Sequence, residues 1–117
     1  MKREQFLLNK LAEECAEVAQ RALKQVQYGA DQVQKGNEVK DGVAPPSGEA
    51  GLTNRQRLVN ELIDMAVICE LLEEAGQLAP PPTGFDYDDI KAKKIEKMNK
   101  YLAFSRSLGE IDGDWTI

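Results

Sequence analysis

The chain has 117 residues, with 15 Lys and Arg against 20 Asp and Glu, no His and two Cys, for a net charge of −5. That length suits one domain with a single small core, and an acidic chain without a dominant basic block excludes the electrostatic footprint of a nucleic-acid binder. Two Cys and no His cannot build a common structural zinc site, and the lack of His also rules out a di-iron centre built on Glu-x-x-His.

The opening stretch "MKREQFLLNK" carries an apolar run too short for a signal peptide. No later stretch is long enough to span a bilayer, so a cytoplasmic protein without a membrane partner is expected. Residues 3–27 predict one long helix: Leu8, Leu11, Cys15, Val18, Ala19, Ala22 and Val26 recur at three- and four-residue spacing. It ends near Tyr28-Gly29, where glycine can take a left-handed C-cap conformation.

Residues 29–52 form an insertion rich in Gly and Pro, with Gly29, Gly36, Gly42, Gly48, Gly51, Pro45 and Pro46. No regular element is expected there beyond one short helical turn over "DQVQK", 31–35. Its small apolar area offsets little of the entropy of ordering, so it is expected to move, and it could close over a ligand as a lid. A second helix is predicted over 54–77, capped by Thr53 or Asn54 and stopped by "GQLAPPPTG". The third runs from Asp86 to Leu108, with Asp86, Asp88 and Asp89 at its positive N-terminal end and Gly109 closing it. The fold class is therefore all-α: three long helices, a short one besides, and a single domain over 1–117. Cys15 and Cys69 fall in apolar helical positions and read as buried free thiols.

Acids crowd the apolar stripes of the first two helices. Glu13, Glu14 and Glu17 stand among Leu11, Ala12, Cys15 and Val18, and Glu14 and Glu17 at i and i+3 share a face. On the second helix Leu58, Leu62, Met65, Cys69 and Leu72 make one apolar stripe, and Val59, Ile63, Val67 and Leu71 make another. A helix apolar on two sides is expected to be buried on two sides, which a three-helix monomer cannot provide; Ile63, Val67 and Leu71 are the expected contact with another copy. Glu61 and Asp64 lie between the stripes. Desolvated carboxylates need a positive partner. Either Lys and Arg side chains supply it or a hard divalent cation does, for which an all-oxygen set suits Mg²⁺ or Mn²⁺. Acids at such spacings mostly just solvate a helix face; two pairs on separate long helices are more specific.

"EECAE" followed by "ELID", with the flanks "LLNKLAEECAEVAQRALKQVQYG", "TNRQRLVNELIDMAVICELL" and "KAKKIEKMNKYLAFSRSLG", resembles the EExxE…ExxD signature of the all-α nucleoside triphosphate pyrophosphohydrolases, the MazG-like superfamily. It looks most like the small members carried by bacteriophages, and the likeness covers residues 4–29 and 53–109. The resemblance implies an antiparallel helical bundle assembled as a dimer or tetramer, in the cytoplasm of a bacterial or phage-infected cell. It implies a Mg²⁺-dependent cleavage of a nucleotide's α–β phosphoanhydride to monophosphate and pyrophosphate. Glu14 and Glu17 match the ExxE ligands, and Glu61 and Asp64 the ExxD ligands. Glu13 is the extra acid, for a second ion or to orient a water, so these five would form the catalytic set. The insertion at 29–52 departs from the pattern and leaves the shape of the substrate pocket open.

Phosphate charge calls for cations. The third helix carries Lys91, Lys93, Lys94, Lys97, Lys100 and Arg106. Lys94 and Lys97, one turn before Met98 and Tyr101, are the expected substrate contacts, while Lys91, Lys93 and Lys100 read as a solvated face. Arg57, one turn before Glu61, either pairs with the acids or holds a phosphate. Tyr28, Phe85, Tyr101, Phe104 and Trp115 are expected to pack, with the tail around Trp115 able to dock on a neighbouring subunit. Three readings stand side by side: a nucleotide pyrophosphohydrolase, with phosphoribosyl-ATP as a nearby alternative substrate class; a nucleotide-binding or sensing module of the same fold; and a structural helical oligomer. Losing turnover on Glu14→Ala or Asp64→Ala would single out the first.

Overall fold

The computed structural model describes residues 1–46 and 48–117. Among them stand three α-helices, α1 (Arg3–Tyr28), α2 (Asn54–Glu74) and α3 (Tyr87–Ser107), and no strand beyond two isolated bridges. The all-α expectation holds in that form. The short helical turn over 31–35 does not form: Val33 instead makes an antiparallel bridge with Thr53. The second helix also stops at Glu74 rather than 77, because Gly76 turns the chain at a φ of 71°. No helix among the described residues is long and apolar enough to cross a membrane.

The chain divides into two units, Met1–Ala79 and Pro80–Ile117. In the first, α1 packs against α2. Gly29 meets Asn54, Arg21 meets Glu61, and Cys15 meets Met65. Partner numbers rise on one helix as they fall on the other, so the two run antiparallel. Leu7 and Leu72 are buried. The thiols are less enclosed than expected: Cys15 is exposed, donating to the Met65 thioether at 3.9 Å, and Cys69 is half-buried. The second stripe of α2 is open as well, with Val59, Ile63 and Val67 exposed.

The start of α2 fixes the geometry of this unit. Thr53 is its N-cap, in extended conformation, and forms a reciprocal capping box with Gln56. The next two free N–H groups find carbonyls of the loop: Asn54 donates to Gln32 at 2.9 Å and Arg55 to Ala30 at 3.0 Å. The buried Asn54 side chain also donates to the Gly29 carbonyl at 2.8 Å. The donors that every helix leaves unsatisfied in its first turn thereby tie the end of α1 and the start of the insertion to α2. Gly29 has a positive φ of 91°, but its ψ of 155° is extended rather than left-handed helical, so the chain leaves α1 directly toward the start of α2. Further along, Lys40 and Val43 exchange backbone hydrogen bonds around Asp41-Gly42, both with positive φ. That is the two-residue hairpin turn which an Asp-Gly pair favours.

In the second unit the Asp86 carboxylate caps α3 by accepting from the backbone N–H groups of Asp88 and Asp89. The C-terminal tail returns along the same helix. Arg106 donates to the carbonyls of Gly113 and Trp115, and Asn99 both accepts from the Ile117 N–H and donates to its carbonyl. Arg106, counted among the phosphate cations from sequence, is engaged in holding this tail, and the tail docks on its own chain.

Candidate functional site

Helical spacing builds the site. Glu14, Glu17 and Arg21 recur at i, i+3 and i+7 on the α1 face turned to α2, while Arg57, Glu61 and Asp64 recur at i, i+4 and i+7 on α2. Antiparallel packing brings Glu61 opposite the two glutamates. One carboxylate oxygen from each of Glu14, Glu17 and Glu61 lies within 4.8 Å of the other two. Glu61 is only 8% exposed, Glu14 is half-buried and Glu17 exposed. At such separations the three carboxylates repel one another when ionised.

The strain is visible in the titration of these groups. The Glu61 carboxyl is pushed up to about 7, first by burial and then by the hydrogen bond and charge of Glu17, followed by those of Glu14. Glu14 is raised as well, by burial first and then by the charge of Glu17; Asp64 adds to this, and the hydrogen bond with Glu61 opposes it. Glu14 Oε2 and Glu61 Oε2 are buried without a hydrogen-bond partner among the described residues. Arg21 Nε and Gln25 Oε1 are likewise buried without a hydrogen-bond partner among the described residues, and the three carboxylates offer a hard, all-oxygen donor set. The residues fit Mg²⁺ or Mn²⁺.

Asp64 is exposed, outside the set of three but near enough to act on Glu14 through its charge. Glu13 is turned away from the cluster, exposed and paired with Lys10 at 2.8 Å. Lys94 and Lys97 stand exposed on α3 in the second unit, where Lys94 lines a shallow groove with Tyr87, Ile90 and Ile117.

Arg57 is buried, 4% exposed, and its partners are acceptors from the insertion rather than the four matched acids: Nε binds Glu49 Oε2 at 2.5 Å, and Nη1 donates to the Gln34 side chain. The cation beside the cluster is Arg21, with Nε 3.7 Å from Glu61 Oε1 and Nη2 3.6 Å from Glu49 Oε1. The signal for Arg21 in the sequence is its spacing of i+4 from Glu17. Glu49 and Gln34 carried none, because the loop that holds them has no periodicity.

Comparison with family models, with curated proteins and with solved structures finds no match.

Proposed function

We propose that the protein is a divalent-metal-dependent nucleotide pyrophosphohydrolase of the MazG-like type. The observation that carries the reading is the convergence of Glu14, Glu17 and Glu61 from two helices with two of their oxygens buried and unpartnered. An acidic face that merely solvated a helix would point its carboxylates at water.

Glu14, Glu17 and Glu61 would hold the cation, with Asp64 one turn beyond Glu61 as the fourth ligand. A cation held by these residues would supply positive charge for the phosphate oxygens of a nucleotide. Burial and the neighbouring glutamates push the Glu61 carboxyl up to about 7, so a cation held there would compete with its proton. Arg21 steadies Glu61 through their ion pair and keeps that carboxylate facing the two glutamates of α1. Water adds at a phosphorus of the α–β bridge and gives its proton to a neighbouring carboxylate, and the bridging P–O bond breaks to leave monophosphate and pyrophosphate. Apolar Val59, Ile63 and Val67 support assembly as a homo-oligomer.

A screen of ribo- and deoxyribonucleoside triphosphates and phosphoribosyl-ATP with Mg²⁺, scoring pyrophosphate against orthophosphate, tests the assignment. Monophosphate plus pyrophosphate is expected, with turnover abolished in Glu14→Ala. Orthophosphate as the sole inorganic product refutes the bond assignment. Tight nucleotide binding without turnover would instead mark a sensing module.

A further inference from the structure

Beside the three glutamates, two guanidiniums grip one carboxylate. Glu49 Oε1 faces Arg21 Nη2 at 3.6 Å and Glu49 Oε2 faces Arg57 Nε at 2.5 Å. Arg21 at the same time faces Glu61 Oε1 at 3.7 Å. The Glu49 carboxylate is therefore the span of one guanidinium away from the candidate metal ligands. Both arginines are well enclosed, with side chains 18% and 5% exposed. The acid between them comes from the insertion, not from a helix.

We infer that Arg21 and Arg57 form the seat for a phosphate of the substrate, and that Glu49 is a resident stand-in which the phosphate displaces. The inference rests on the metal-dependent phosphoanhydride reading and adds to it how the site is kept closed.

Three features support it. A carboxylate bound through two oxygens by two guanidiniums has the contact pattern of a phosphate presenting two of its anionic oxygens, and the planar guanidinium fork serves both. Arg21 faces both Glu49 and Glu61, so the seat adjoins the acidic cluster. Charge balance points the same way. With every group ionised, Glu14, Glu17, Glu61, Asp64 and Glu49 outweigh the two arginines by three negative charges, more than one divalent cation cancels. A polyphosphate arriving on top of that meets a surplus of negative charge unless Glu49 leaves. Glu49 stands on the insertion, so its side chain can swing off the guanidiniums without moving α1 or α2, where the other acids are fixed. Arg57 then keeps a partner, because Gln34 still accepts from Nη1. Glu49 therefore competes with substrate for the two guanidiniums.

The probe is inorganic tripolyphosphate, titrated calorimetrically into the intact protein with Mn²⁺ and again with EDTA, at fixed ionic strength. Glu49→Gln keeps the size of the side chain and removes the competing charge. If the seat is filled by Glu49 most of the time, freeing it tightens tripolyphosphate binding about three- to tenfold. Arg57→Lys, which keeps the charge but loses the fork, weakens binding about tenfold. Glu49 acting only as a structural latch predicts the opposite for Glu49→Gln, weaker or unchanged binding, and that result overturns the inference. So does a lack of measurable binding to both the wild type and Glu49→Gln at millimolar tripolyphosphate.

Helix content by circular dichroism checks that each variant is folded. Should Glu49→Gln unfold, Glu49→Asp, which withdraws the carboxylate by one methylene, reads the same competition. Direct Mn²⁺ titration separates the two layers of the argument: without Mn²⁺ binding the metal reading fails, while the ratio of variant to wild-type affinity in EDTA still decides the role of Glu49.

Discussion

Glu61 is a carboxylate that the fold makes difficult to ionise, and this has a measurable sign. Its pKa is about 7 in the native chain, against about 4.3 for an unperturbed glutamate. Between those values the folded state keeps a proton that the unfolded chain has released. Stability of the metal-free protein must then fall as pH rises from about 4.5 through 7, because the native state binds more protons than the unfolded one. In EDTA the melting temperature should be higher at pH 5 than at pH 8. Mn²⁺ or Mg²⁺ should raise it most at pH 8, since a ligand that binds only the native state stabilises it. A melting temperature indifferent to metal at pH 8 would count against the site. Glu61→Gln removes the charge and keeps the shape, so it should stabilise the metal-free protein at pH 8 by roughly 1 to 3 kcal/mol and abolish the response to metal. At this scale the sequence was informative about which acids share a face, because helical spacing places Glu14 with Glu17 and Glu61 near Asp64. It did not reveal that Glu13 would bond to Lys10, or that Asp64 would stay exposed while Glu61 is buried. Such distinctions depend on where the neighbouring helix sits, and period alone does not contain that.

At the scale of elements, the three helices were legible because their signals are local. Apolar spacing, a Thr-x-x-Gln capping box at Thr53 and an aspartate cap at Asp86 can each be read within a few residues. The segment 29–52 was legible only as irregular. Its carbonyls at 30 and 32 satisfy the first N–H groups of α2, and its Glu49 neutralises Arg57 and Arg21. These are pairings between residues about 20 or more positions apart for the backbone, or across two helices for Glu49, without any pattern to announce them. The Asp41-Gly42 turn is the exception, since Asp-Gly is a local hairpin signal. The start of α2 therefore supports both a helix and a loop. Thr53→Ala removes the side-chain cap and should cost about 1 kcal/mol. Asn54→Ala removes the buried donor to Gly29 and leaves that carbonyl to find water; the loss should be about 1 to 3 kcal/mol. Hydrogen exchange distinguishes the two. Thr53→Ala should loosen the first turn of α2, whereas Asn54→Ala should also expose the amides of 30–37. Equal protection of that segment in Asn54→Ala and wild type would show that the loop is held by other means.

For the whole molecule, the question is what covers the second side of α2. Val59, Ile63 and Val67 are each about half exposed, at 51%, 56% and 48%, and Leu62 beside them is 40% exposed. They recur at i, i+4 and i+8, which makes one continuous apolar stripe along two turns. Single exposed apolar residues are ordinary, but a contiguous stripe marks an interaction surface. A second copy of the chain is the proposed cover, because a helix related to itself by a two-fold axis presents the same stripe to both partners. Burying a Val or Ile fully is worth about 1.5 to 3 kcal/mol, and half of each of these side chains is already out of water. Each therefore gains about 1 kcal/mol on association, doubled by symmetry. A charge at the centre of the stripe should be far more costly than a trimmed side chain, because two copies would meet across the axis with like charges desolvated. Ile63→Glu should thus dissociate the oligomer at micromolar concentration, while Ile63→Ala should weaken it about tenfold or more. Sedimentation velocity reads both outcomes. Helix content separates assembly from folding, since Ile63→Glu on an exposed face should leave α1 and α2 intact. Wild-type protein sedimenting as a monomer at micromolar concentration would refute the assignment of this face. The candidate metal ligands would stand regardless, because Glu14, Glu17 and Glu61 are brought together within one chain.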